Sequence, residues 1–139
     1  MEMFQLKIVA SNRTFYEGPC PLLILTVHDG EMGIMAHHEN MLVSVPAGSM
    51  RFQKENGEWE YAVVGVGLAE ILNNHVNLLV ETIERPEEID LRRAEQARER
   101  AAEELRQKLS QRQYHLSKAS MARATARIRE KNRHKINGL

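Results

Sequence analysis

The chain has 139 residues, 42% of them hydrophobic, a length that holds one ordinary domain or a small domain with an appendage and excludes a large multi-domain enzyme. Its formal net charge of zero is a cancellation, because residues 1–86 carry 5 Lys and Arg against 11 Asp and Glu while residues 87–139 carry 14 against 8. The single cysteine, Cys20, excludes an internal disulfide, and no apolar run approaches the roughly 20 residues of a bilayer span.

A reducing compartment is therefore expected, and the Met-Glu-Met-Phe start lacks the basic, then apolar, pattern of a signal peptide. Along the chain, Phe4, Leu6, Ile8 and Ala10 alternate with more polar neighbours, the period of a strand with one buried face. Further strands are expected over 21–28, 41–45, 49–54, 59–64 and 75–83. Asp29-Gly30, Pro46-Ala47-Gly48 and Asn56-Gly57 act as turns, the last being the strongest hairpin signal. Turns at this spacing point to a small β-sandwich or flattened barrel.

Pro86 marks a change of architecture. Residues 87–137 contain neither Gly nor Pro, whereas six of the seven aromatics and all four prolines lie at or before that point. Ile89, Ala94, Ala97, Ala101, Leu105 and Leu109 fall near one helical stripe, with Glu87, Glu88 and Asp90 expected in the first turn, where acids oppose the helix dipole. A second helix is expected from about Gln113, with Leu116, Ala119, Ala122, Ala126 and Ile128 inward. The turn between them, near Ser110-Gln111, has no Gly, Pro, Asn or Asp. A hairpin held mainly by alanine contacts buries little area, so a modest interaction can shift it between folded and extended forms.

Catalytic signals are poor. Gly65-Val66-Gly67 lacks the third glycine of a dinucleotide fingerprint, no phosphate-binding loop motif is present, and His37-His38 beside Glu39 lacks metal-ligand spacing. The arginines of the arm are more informative. Antiparallel pairing about residue 110 sets Arg93 opposite Arg127, with Arg123 one turn away, and guanidinium groups gathered in this way call for a phosphate or a carboxylate. A solvated basic face is the competing reading of the same residues.

Two stretches carry a family resemblance. Gly30-Glu31-Met32-Gly33-Ile34-Met35-Ala36-His37-His38 through Met41-Leu42 resembles the G-E-L-G-I-L-P-G-H-x-P-L segment of the ε subunit of bacterial rotary F-type ATP synthases. Ile89-Asp90-Leu91-Arg92-Arg93-Ala94 resembles the I-D-x-x-R-A motif that opens its C-terminal helical hairpin. The departures are Ala36-His37 in place of Pro-Gly, Asn40 in place of Pro, and Gly65-Val66-Gly67 in place of Ser-Gly-Gly.

The resemblance implies a β-sandwich over 1–86 and a two-helix regulatory arm over 87–139, in a non-catalytic subunit of a proton-translocating synthase. The sandwich would dock on the γ shaft and the c-ring, with Glu31, His38 and Met41 as contacts. The arm would fold beside the sandwich or extend toward the catalytic α and β subunits and block ATP hydrolysis. ATP, a regulatory ligand and not a required cofactor, would hold the folded form through Glu84, Ile89, Asp90, Arg93, Ala94, Arg123 and Arg127. Arg123, Arg127, Arg129, Lys131, Arg133 and Lys135 would lie along acidic β-subunit segments. No metal is implied, and the location implied is the cytoplasmic face of the bacterial cell membrane, reached only through the complex. The alternative is a nucleic-acid-binding module with a basic helical arm, which the acidic sandwich disfavours. A coiled-coil adaptor lacks sustained heptads.

Overall fold

The computed structural model describes residues 2–11, 13–106 and 111–137; the side chains of residue 111 and residues 135–137 lie outside that description, as does the expected inter-helix turn. Ten strands come first: β1 Phe4–Ala10, β2 Arg13–Cys20, β3 Leu22–Val27, β4 Gly30–Ile34, β5 Met41–Val45, β6 Gly48–Gln53, β7 Trp59–Val64, β8 Gly67–Leu72, β9 His75–Val80 and β10 Ile83–Glu84. One 3-10 turn, Pro86–Glu88, leads to the helices α1 Leu91–Arg106 and α2 Gln111–Asn137.

The strands form two five-stranded sheets, β2-β1-β9-β8-β5 and β10-β7-β6-β3-β4. Every pairing is antiparallel except β1 with β9. Alternation places Phe4, Leu6, Ile8 and Ala10 on the inner face of β1, against Leu23, Leu25, Phe52, Ile71, Val76 and Leu78. This packing of one apolar face on another is the sandwich solution, not the barrel.

Three strands went unread in the sequence. β2 contains Gly18 and Pro19, residues that argue against a central strand; here β2 is an edge whose one neighbour is β1, so the missing N–H of Pro19 costs no ladder bond. β4 is likewise an edge strand, opened by Gly30 at φ 131. β8 starts at Gly67 and forms a two-residue hairpin with β9 through Asn73 and Asn74, at φ 49 and 63. Asparagine tolerates that left-handed conformation, and two such residues in succession are what a tight hairpin requires.

The single strand expected over 75–83 is two strands in different sheets. β7 passes into β8 through Gly65-Val66 while β9 passes into β10 through Glu81-Thr82, and the two crossings are tied by Gly65 N–H to Thr82 O at 2.9 Å and Glu81 N–H to Val66 O at 3.0 Å. A Cβ on Gly67 would stand 2.0 Å from Leu79 O, which explains why glycine occupies this point.

The helices also depart from expectation in detail. Glu87 and Glu88 belong to the 3-10 turn and not to the first turn of α1. Asp90 caps α1, its carboxylate accepting from the Arg93 N–H at 3.2 Å. On α2, Leu116 is 60% exposed and Ala122 is also exposed, while Ser117, Ala124, Ala126, Ile128 and Glu130 are buried. The expected stripe assumed one partner; α2 packs on α1 and also on β6 and β7, so two of its faces are covered. Ser117 Oγ donates to Glu104 at 2.6 Å, within one position of the register that a turn at residue 110 sets.

Candidate functional site

The crossing at Glu81–Glu84 determines which acids meet the arm. Leaving its sheet at Val80, the chain presents Glu81 and then Glu84 outward. Glu81 accepts from Arg123 at 3.4 Å and Glu84 pairs closely with Arg127, one helical turn further along α2. Both arginine side chains are one-quarter exposed, and the Nε of each is buried with no hydrogen-bond partner among the described residues. Lys131, the next turn, donates to Pro86 O at 3.4 Å. Between these polar contacts lies one small apolar patch of Val63, Ile89 and Ala126.

Beside this seam is a cleft of about 370 Å³ lined by Glu84, Glu88, Asp90, Arg93, Ala94, Gln96, Ala97, Arg100 and Arg127. Glu84, Asp90, Arg93, Ala94 and Arg127, all expected at a nucleotide site, line it together. Two others do not. Ile89 is 3% exposed and packs on Val63 and Ala126, and Arg123 turns to Glu81, so two arginines and not three converge from the expected set. Sequence reasoning missed Arg100, whose position two turns after Arg93 puts it on the same face of α1. Arg93 and Arg100 reach the cleft from α1, Arg127 from α2, Glu84 from β10, and Glu88 and Asp90 from the chain between β10 and α1, so both charges are present at its rim.

Further along α2, Arg129 and Arg133 line a small cavity of about 70 Å³ with Glu31, Arg51 and Tyr61. Glu31 is held by Arg51 at 3.1 Å. It therefore stands in the sheet that faces α2, apart from His38 and Met41, which precede and begin β5 in the other sheet. His37, at the position of the motif's glycine, adopts φ 64 and donates its N–H to Asn74 Oδ1 at 2.7 Å; Asn40 accepts from the Asn73 N–H at 2.9 Å. The segment is thus pinned to the β8–β9 hairpin. Of the basic arm residues, Lys135 has its side chain outside the described set.

Another surface went unread. Leu42, Leu68, Leu72 and Leu79 are 45–66% exposed on β5, β8 and β9, with Leu68 directly opposite Leu79. Met35 and Met41 are exposed nearby in sequence. The available signal was Leu78-Leu79, two adjacent leucines in a strand, of which only one can face the core. Among the described residues no group of three metal-ligating side chains gathers, and no helix is long and apolar enough to cross a membrane.

Residues 3–86 match the family model for the ATP synthase delta/epsilon chain β-sandwich domain, and residues 87–130 match that for its long α-helix domain. The ATP synthase epsilon chain of Ruminiclostridium cellulolyticum is 41% identical over 97% of this chain and all of its own length, and that of Caldicellulosiruptor bescii is 37% identical over 98% and 100%. In the solved structure of the Euglena gracilis mitochondrial ATP synthase, one chain superposes with a TM-score of 0.74 at 19% identity, covering 96% of this chain and 81% of its own. These matches span both halves of the molecule and agree with its architecture, and the chain accordingly belongs to the epsilon-subunit family of ATP synthases, a non-catalytic component of that complex.

Proposed function

We propose that this chain is a rotor subunit whose sandwich docks on the γ shaft and c-ring and whose arm regulates ATP hydrolysis by leaving the sandwich and reaching the catalytic α and β subunits. The observation that carries this reading is the polar character of the seam. Arg123–Glu81, Arg127–Glu84 and Lys131–Pro86 run along it beside a small apolar cluster of Val63, Ile89 and Ala126. Partly exposed ion pairs contribute little each and are weakened by salt, so such an arm separates readily from its sandwich. Once released, Arg123, Arg127, Arg129, Lys131, Arg133 and Lys135 form a basic strip suited to acidic segments of the β subunits.

The exposed leucines of β5, β8 and β9 suit an apolar face of the shaft, with His38 and Met41 beside them at the c-ring end and Glu31 at the opposite sheet. Membrane association follows through the complex, on the cytoplasmic face. The nucleic-acid alternative is disfavoured because Phe4, Phe15 and Phe52 are buried and offer no stacking platform.

The cleft fits ATP as a regulatory ligand of the folded arm. Its volume lies within the roughly 300–1,000 Å³ of small-molecule sites. The unpartnered Nε of Arg127 is a buried donor in need of an acceptor, Arg93 and Arg100 supply further forks for phosphate oxygens, and Ala94 and Ala97 leave room for a flat base. Glu84, Glu88 and Asp90 confine the phosphates to the arginine side. Ile89 and Arg123 would act indirectly, by holding the seam.

Deleting residues 111–139 is expected to raise ATP hydrolysis by the assembled complex without preventing assembly; unchanged hydrolysis would sink the inhibitory role. Titration of the chain with ATP, followed by calorimetry, is expected to show binding weakened about tenfold or more by Arg93→Ala, the loss of one charge-assisted contact. Equal affinity would remove Arg93 from the site.

A further inference from the structure

The cavity of about 70 Å³ between α2 and the sheet β10-β7-β6-β3-β4 has room for about two waters and is too small for a nucleotide. The sandwich contributes Glu31, Ser49 and Arg51 to its lining, and α2 contributes Arg129, Glu130 and Arg133. Three arginines therefore share the cavity with two glutamates, and both glutamates are already matched. Arg51 forks onto the Glu31 carboxylate through Nη2 at 3.1 Å and Nη1 at 3.4 Å. Glu130, only 2% exposed, is balanced by Arg133 Nη1 at 3.0 Å from one carboxylate oxygen and His134 Nε2 at 3.3 Å from the other. Arg129 makes no ion pair or hydrogen bond among the described residues.

A second unmatched group is Ser49 Oγ. It is buried without a hydrogen-bond partner among the described residues, although the Ser49 carbonyl accepts from Thr26 Oγ1 at 2.7 Å. A buried hydroxyl left in that state is costly, and native proteins rarely keep one. Water in the cavity would satisfy the hydroxyl but would bring no counter-charge for the third guanidinium. A small oxyanion does both, because its oxygens accept from a hydroxyl and from arginine forks alike.

We propose that this cavity is a second anion site, separate from the 370 Å³ cleft, and that it takes inorganic phosphate. Ser49 and Arg51 hold the ion from the sandwich and Arg129 and Arg133 hold it from α2, so the site is complete only while the arm is docked. A ligand that binds one state of an equilibrium favours that state by mass action, and phosphate therefore fastens the arm to the sandwich. The site itself is a property of the docked structure, while its effect on the arm rests on the reading that the arm undocks.

Two measurements on the full-length chain test this, both without nucleotide and in an Arg93→Ala background that removes phosphate binding at the larger cleft. Calorimetry with inorganic phosphate is expected to show one site per chain, weakened about tenfold or more by Arg129→Gln and about fivefold by Ser49→Ala, with Trp59 fluorescence confirming an intact sandwich. Förster transfer reads docking between dyes on Asn56→Cys in the β6–β7 turn and Ala122→Cys on α2, both exposed and outside the cavity; buried Cys20 stays unlabelled. In enough chloride to release half of the arms, replacing chloride by phosphate at about ten times its Kd, at constant pH and ionic strength, is expected to raise the docking constant about tenfold. Chloride itself acts in the opposite direction, by screening the seam. Absent phosphate binding, or equal affinity in Arg129→Gln, overturns the site and leaves water as the occupant of the cavity. Binding that Arg129→Gln weakens but that does not raise transfer overturns the fastening. An arm that no chloride concentration releases defeats the switching reading, and the calorimetric comparison then decides the site by itself.

Discussion

Gly67→Ala tests whether the sheet crossing places the acids that receive the arm. The added Cβ would stand 2.0 Å from Leu79 O and 2.8 Å from Val80 Cα, both backbone atoms of the paired strand, so no side chain can swing away to admit it. Relief requires opening the end of the β8–β9 ladder at the Gly67–Val80 pair and straining the Glu81 N–H to Val66 O bond. Losing one or two such bonds costs about 1 kcal/mol each, and the overpacking adds about 1–3 kcal/mol, for a total of about 2–5 kcal/mol. That is a large part of the roughly 5–15 kcal/mol that holds a domain folded. Urea denaturation followed by Trp59 fluorescence measures it, with Gly33→Ala as control, since there the nearest atom, Leu22 Cδ1, is 4.0 Å from the new Cβ. Equal midpoints for the two variants would refute the close-approach argument. Glu81 follows the displaced segment directly, so Gly67→Ala is also expected to loosen the Arg123 contact in the transfer assay.

Arg127→Ala removes an ion pair of the seam and is expected to weaken docking by about 1 kcal/mol or less, read as lower energy transfer between dyes on the β6–β7 turn and on α2. The Cys20 thiol is pushed up to about 11 by burial. The folded chain thus holds that proton more tightly than the unfolded one, and stability present below about pH 8.5 is lost progressively toward pH 11, a decline that Cys20→Ala should reduce in urea melts. His37→Gly relieves a left-handed backbone at φ 64 and is expected to raise stability by about 0.5–1 kcal/mol in the same melts; a loss would mean that the His37 side chain earns its place by contact. Leu78→Ala empties a fully buried core position and is expected to cost about 2–5 kcal/mol.

Patterns confined to neighbouring residues were legible before any coordinates. The alternation of β1, the Asn56-Gly57 turn and the architectural change at Pro86 follow from short-range sterics and hydrogen bonding, which a sequence window contains. The edge strands β2 and β4 were not legible, because Gly and Pro lower strand propensity everywhere and only sheet position decides where they are tolerated. The alanine stripe of α2 failed at Leu116 and Ala122 for a similar reason: periodicity locates an apolar face but does not reveal that a second, polar face is also covered.

For the cleft, helix spacing and the I-D-x-x-R-A resemblance brought forward Arg93 and Arg127, both of which line it, and also Arg123 and Ile89, which do not. What separates them is the exchange of strands between sheets at Glu81 and Glu84, which hands Arg123 a carboxylate of its own and seals Ile89 beneath the seam. By itself the sequence determined the two-part division, the opposed charges of the halves and the family, since these are properties of local composition and motif. Only the tertiary structure decided which charges meet and which are buried, Glu130 above all, because desolvation and pairing depend on residues distant in the chain that the fold brings within a few ångströms.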